Sequence, residues 1–156
     1  MAGDLGRELD RSGRVVGVGI DAVDLDRFAG VLRRRTRMAE RLFTDGELAY
    51  ARAASDPVPR LSTRFAAKEA TMKALGVGLG AFPFHDVEVT RIGLAAPRLV
   101  LHAAAAMLAR KAGVTHWHLS LTHTDQMALA VVVAEGPVVG PVEPPATAPT
   151  HPSRTP

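Results

Sequence analysis

Phe65-Ala66-Ala67-Lys68-Glu69-Ala70-Thr71-Met72-Lys73-Ala74-Leu75-Gly76 constrains the fold more than any other stretch of this chain. Ala, Leu, Met, Lys and Glu are the strongest helix formers, and together they fill most of the segment, so it reads as an α-helix. Pro57 and Pro59 close off what precedes it, Ser62 or Thr63 can cap its start, and Gly76 supplies the left-handed position that ends it. On such a helix Phe65, Glu69 and Lys73 share one face. That face admits two readings. A Glu followed four residues later by a Lys is ordinary helix decoration, worth about 0.2–0.5 kcal/mol. Against this, the stripe of Ala66, Ala70 and Ala74 lets another backbone approach, and Gly76, Gly78 and Gly80 follow at once. A carboxylate, a lysine and open backbone amides could together hold a metal-bound phosphate.

The chain has 156 residues, of which 47% are hydrophobic, which is enough for the core of one domain. No apolar run is long enough to cross a bilayer. The first residues are charged and lack the apolar centre of a signal peptide, so a cytoplasmic protein is expected. The absence of cysteine excludes a disulfide framework, a thiolate nucleophile and a zinc-thiolate site. Positive charge is unevenly spread: Arg33, Arg34, Arg35, Arg37 and Arg41 form the densest block. It is either a solvated helix face or a dock for an acidic protein or a nucleic acid. Aromatic residues are only 4% and none interleaves with these arginines as a stacking platform, so nucleic acid is the weaker candidate.

Residues 1–13 mix charge with glycine and show no periodicity, which predicts a mobile arm. Residues 14–20 form a β-branched run and read as a buried strand with Asp21 at its end. Asp24 caps a helix through Leu25, Phe28, Val31 and Leu32. Thr44 and Glu47 fit a capping box opening a short helix through Leu48 and Tyr50. Residues 86–91 alternate as a half-exposed strand, Arg98 to Leu101 give a second strand, and an alanine-rich helix over residues 102–112 stops at Gly113. In residues 115–123 alternation sets His116, His118, Ser120 and Thr122 on one side and Trp117, Leu119 and Leu121 on the other. Residues 127–133 return as the hairpin partner. The expected domain covers residues 14–135, and residues 136–156, rich in proline, are expected to be a disordered tail.

Three segments in order resemble the signatures of the holo-acyl-carrier-protein synthases, the small stand-alone 4′-phosphopantetheinyl transferases. They are Gly19-Ile20-Asp21, Arg64 to Ala70 with Lys73 and Gly76, and His118-Leu119-Ser120-Leu121-Thr122-His123. The resemblance runs from about Val15 to Ala134. It implies an α+β fold of the 4′-phosphopantetheinyl transferase type, with an antiparallel sheet packed on a central helix, assembled as a homotrimer with active sites between subunits. The implied reaction moves phosphopantetheine from coenzyme A to a serine of an apo acyl carrier protein of fatty-acid or polyketide synthesis. Adenosine 3′,5′-bisphosphate is the by-product. By resemblance, Asp21 and Glu69 hold a magnesium ion on the pyrophosphate, Lys73 and Gly76 contact the coenzyme, and Arg64 and His118 match coenzyme-contacting positions. The start of the first helix, Arg27 included, resembles the surface that receives the carrier, and the block from Arg33 to Arg41 would extend it as an electrostatic dock for an acidic helix. Met72 and Val77 stand where relatives often carry hydroxyl side chains.

The residues suit that chemistry. Magnesium binds through one or two carboxylates, waters and substrate phosphates, and phosphoryl transfer depends mainly on positioning and charge neutralisation. Lys73 would stabilise the leaving phosphate, and Glu69, or a water it orients, would take the serine proton. Two other classes remain: a magnesium-dependent phosphohydrolase of a nucleotide-like substrate, which would use the same acids with water as nucleophile, and a basic nucleic-acid-binding module, which would use the arginine block.

Overall fold

The computed structural model describes residues 13–138. The expected arm through residue 12 and the tail from residue 139 lie outside the described residues. The first strand, β1, spans Gly13–Asp24, longer than the sequence predicts, with a bulge between Val15 and Gly17. Asp21 therefore lies within the strand and not at its end. Asp24 does cap α1 (Leu25–Arg34), accepting the Arg27 N–H at 2.8 Å. A short helix that the sequence did not announce, α2 (Met38–Leu42), follows. In α3 (Asp45–Arg52) the capping box forms in both directions between Thr44 and Glu47.

The central helix, α4, spans Val58–Ala74 and so begins a full turn earlier than Ser62 or Thr63. Pro59 falls in its first turn, where the missing N–H costs nothing, and Asp56 accepts the Val58 N–H at 2.9 Å. Ser62 and Thr63 are consequently buried in the helix and cap nothing. The helix ends as expected. Gly76 has φ +67°, its N–H donates to the Lys73 carbonyl and the Val77 N–H to that of Met72.

A single turn of 3-10 helix, Phe84–Asp86, leads into β2 (Val87–Thr90), which pairs antiparallel with β3 (Arg98–Leu101). Asp86, expected in that strand, instead accepts the Ala104 N–H at 2.9 Å and caps α5 (Ala103–Lys111) from outside. Then β4 (His116–His123) and β5 (Met127–Pro137) form the expected hairpin, and the main sheet is antiparallel with order β1-β5-β4. Gly136 and Pro137, counted above as tail, still pair with Arg14 and Gly13.

The helix α4 lies on one face of this sheet. Ala66, Ala67 and Ala70 are fully buried there, with Ala128, Ala130, Val132 and Ala134 of β5 beneath them. Small residues on both sides bring the elements unusually close. A Cβ added at Gly17 or Gly19 would overlap the backbone carbonyl oxygens of Ala74 and Ala70 respectively. On the other side of α4, the Lys68 ammonium is fully buried, 2.8 Å from Glu47 and donating to the carbonyls of Phe84 and Val87. Phe65 stacks on Phe28 with centroids 5.2 Å apart and lies tilted against Phe84 at 5.5 Å, and Phe43 meets Phe28 edge-on.

Substituting Gly19→Ala is expected to lower unfolding free energy by about 1–3 kcal/mol or more, because neither carbonyl nor strand can yield cheaply. Gly78→Ala, whose Cβ would meet open space, should change it by less than about 0.5 kcal/mol. Urea denaturation of the two variants against the parent chain measures both.

Candidate active site

Alternation along β1 turns Gly17, Gly19 and Asp21 toward α4 and leaves Val18 and Ile20 on the outer face, where both are more than half exposed. Asp21 thereby meets α4 at the two side chains that precede its closest contacts, Glu69 and Lys73. The Lys73 ammonium donates to Asp21 Oδ1 at 2.8 Å and to the Ile20 carbonyl at 2.9 Å. Glu69 is half-buried. Burial first, and then the neighbouring Asp21 charge, push its pKa upward, while Lys73 pulls it back.

Asp21 and Glu69 share a cleft of about 470 Å³ whose apolar wall is Phe28, Val31, Met38 and Phe65, with Arg27 at its edge. Met38 also lines a shallow depression formed by Arg34, Arg35, Arg37 and Arg41. The arginine block is thus continuous with the carboxylate cleft through one residue. Among the described residues no three His, Cys, Asp or Glu side chains gather where they could ligate a cation by themselves. Two carboxylates lining one cleft, with the Asp21 charge raising the Glu69 pKa, do fit a hard divalent cation whose remaining oxygens come from a substrate.

Arg64 lies elsewhere. It stands five residues before Glu69, about 140° around the helix, and is buried. It lines a second cleft of about 580 Å³ with Tyr50, Arg60, Arg91, Pro97, Thr122 and His123. Its guanidinium and that of Arg60 sit 4.1 and 4.5 Å from the Tyr50 ring, and Arg91 reaches the phenol oxygen at 3.4 Å. Burial pushes the Arg64 pKa down, opposed by Tyr50 and Glu47, and the Arg64 Nε has no hydrogen-bond partner among the described residues. For Tyr50, burial resists ionisation, but Arg91, Arg60 and Arg64 outweigh it and the phenol pKa falls. Among the described residues no carboxylate lines this cleft, so its chemistry suits an anion of more than one charge.

Of the residues predicted from sequence, the structure brings Asp21, Glu69 and Lys73 together and leaves Gly76 at the open end of the same helix. It does not bring His118 to Arg64. His118 faces outward from β4 and pairs with Glu135 at 2.6 Å. The histidine in the Arg64 cleft is His123, which shares the parity of Trp117, Leu119 and Leu121 and so points toward α4. The same period of two that placed His118 on the polar face carried the signal for His123. Tyr50, Arg60 and Arg91 are further cleft residues that no local motif announced. They come from three segments and meet only in the fold.

Residues 17–132 match the 4′-phosphopantetheinyl transferase superfamily. The holo-[acyl-carrier-protein] synthase of Moorella thermoacetica is 44% identical over 75% of this chain and 91% of its own length. That of Frankia alni is 46% identical over 78% and 98%. Among solved structures, a holo-(acyl-carrier-protein) synthase from Bacillus anthracis, in complex with CoA (3′,5′-ADP), superposes with a TM-score of 0.65 at 32% identity. That match covers 78% of this chain and 97% of the other.

Tyr50 is the chain's single tyrosine, so tyrosinate absorbance reports on it alone. Its titration midpoint is expected below the ordinary value of about 10, and Arg91→Met is expected to move it upward by removing a hydrogen bond and a positive charge. Ultraviolet titration of both forms reads the two midpoints.

Proposed function

The chain belongs to the 4′-phosphopantetheinyl transferase superfamily, and from that premise we propose how its own residues perform the transfer. The reaction moves the 4′-phosphopantetheine group from coenzyme A to a serine of an apo acyl carrier protein. The serine oxygen bonds to the phosphorus that carries pantetheine, the pyrophosphate P–O bond breaks, and adenosine 3′,5′-bisphosphate leaves with the electron pair. One observation carries the assignment of residues: β1 and α4 bring Asp21, Glu69 and Lys73 to a single point.

Asp21 and Glu69 would hold the magnesium ion, which when bound neutralises pyrophosphate charge. Lys73 reaches the same phosphates and stabilises the charge that accumulates on the leaving group. Glu69 takes the serine proton. It borders the cleft through which the carrier's serine must enter. Gly76 and the residues after it leave room for the coenzyme's backbone-facing side.

The coenzyme's adenosine and 3′-phosphate occupy the Tyr50, Arg60, Arg64 and His123 cleft, with His123 taking the place assigned above to His118. That cleft and the carboxylate cleft share no residue and lie on different sides of α4. A coenzyme that touches both therefore bridges two copies of the chain. Val18, Ile20 and Val131 support this, since they form an exposed apolar patch on the sheet face turned away from α4. Burying that face between copies, as a homotrimer, gives both the patch and the divided site a reason. The acidic carrier docks on Arg27 and on the arginine block of Arg33, Arg34, Arg35, Arg37 and Arg41, of which Arg34, Arg35, Arg37 and Arg41 adjoin the cleft through Met38. Among the described residues no helix is long and apolar enough to cross a membrane. We place the protein in the cytoplasm, because a charged nucleotide and an acidic protein do not cross membranes unaided.

Incubated with coenzyme A, magnesium and an apo acyl carrier protein, the chain is expected to add one phosphopantetheine mass to the carrier. It should not cleave coenzyme A when the carrier is omitted, which excludes a phosphohydrolase. Glu69→Gln should fold yet lose at least about 100-fold in transfer; normal turnover at saturating magnesium ends the assignment of Glu69. Reversing Arg33, Arg34 and Arg35 to glutamate should slow carrier association about tenfold or more at low salt, with the difference fading as salt rises. Stopped-flow association at two ionic strengths measures it.

A further inference from the structure

Lys73 and Asp21, assigned above to different charged partners, are bonded to each other. We propose that Lys73 is an internal counter-ion that occupies the carboxylate pair until coenzyme A draws it away, so that the divalent ion enters only with the coenzyme. The inference rests on the reading of Asp21 and Glu69 as the metal-binding pair.

The contact is more than a loose surface pair. The Asp21 side chain is 14% exposed, and the ammonium is held from two directions, by Asp21 Oδ1 at 2.8 Å and by the Ile20 carbonyl at 2.9 Å. The backbone of β1 thus fixes the lysine head where a cation would approach Asp21. The ammonium also acts on Glu69, whose raised pKa it partly restores. A divalent ion arriving alone must either take Asp21 from the ammonium or share the carboxylate with a like charge a few ångströms away. Lys73 is itself half exposed, with a flexible stem and a third donor to spend, so it can swing outward. A pyrophosphate offers the ammonium more negative charge than one carboxylate does. Once Lys73 turns to it, Asp21 is free on the side where the phosphate oxygens stand ready to complete the metal's coordination. By linkage the ion and the coenzyme then favour each other's binding, with the lysine as one source of the coupling.

The probe is Mn2+ alone, titrated into the coenzyme-free full chain and followed by water-proton relaxation or electron paramagnetic resonance. Lys73→Met is expected to bind Mn2+ about tenfold tighter than the parent chain. Lys73→Arg, which keeps the charge, should stay near the parent, and Asp21→Asn added to Lys73→Met should erase the gain. Equal affinity of Lys73→Met and parent overturns the inference. A different result separates the premise: if Asp21→Asn leaves Mn2+ affinity unchanged when coenzyme A is bound, the metal assignment itself fails. The parent chain supplies an independent readout, because it has only three lysines and their side-chain 15N resonances can be assigned. Coenzyme A without metal should shift the Lys73 signal and millimolar Mg2+ without coenzyme should not; a shift with Mg2+ alone overturns the inference whatever the variants do.

Discussion

Two carbonyl groups on the central helix, those of Ala70 and Ala74, lie so close to β1 that only glycine fits opposite them. The periods of the two elements make this contact repeat. Two residues of strand advance about 6.6 Å and four residues of helix about 6 Å, so the pairing of Gly17 with Ala74 carries over into that of Gly19 with Ala70. One further step along the strand is Asp21. The side chains that flank Ala70 on the helix, Glu69 and Lys73, are the ones it reaches. A methyl group at either glycine would separate strand and helix by more than a 2.8 Å ion pair can absorb. The chemistry of the site is therefore set by a backbone contact that contains no chemically active side chain.

That contact fixes how near the helix lies, and a second fixes how it is rotated. Lys68 points away from the cleft into the interior, where the Glu47 carboxylate and the carbonyls of Phe84 and Val87 accept its hydrogen bonds and the Phe43 ring lies 5.7 Å off. Glu47 has no oxygen to spare: one accepts the Val89 N–H and the other the Thr44 N–H as well as the lysine. Burial pulls the Lys68 pKa down and the Glu47 charge resists. Such a pair gains little over an apolar substitute, but losing one partner typically costs about 3–5 kcal/mol. Its value is directional. With Lys68 locked inward, Glu69 one residue on is turned toward the cleft wall built by Phe28 and Phe65.

Most of this architecture was legible because it rests on local rules. The Asp24 cap, the Thr44 and Glu47 capping box, the glycine that ends α4 and the alternation of β4 each depend on residues within one turn or one strand. The pairing of Asp21 with Glu69 and Lys73 is not local, and it was reached from the resemblance together with the alanine stripe. The readings that failed did so where a remote group replaced a local one. Asp56 and Pro59 moved the start of α4 forward, and Asp86 left its strand to cap α5. On β4 the strand's own period turns His118 away from the helix and His123 toward it. Tyr50, Arg60 and Arg91 had no signature because their meaning lies in convergence, which a linear pattern does not carry.

The two clefts are unbalanced in opposite senses, and the proposed division of the site between copies of the chain starts from that imbalance. Around Tyr50 three guanidinium groups gather, none of them paired with a carboxylate among the described residues. Beside β1, two carboxylates crowd each other with one lysine between them. Moving the opposing charges closer within one chain would neutralise both clefts, and it would leave nothing for a ligand to gain. Keeping them on separate sides of a rigid helix preserves both imbalances until a molecule arrives with phosphates at two places and a cation at one of them. Coenzyme A with its ion is such a molecule, and in the assembly we propose it satisfies both clefts at once between neighbouring copies of the chain.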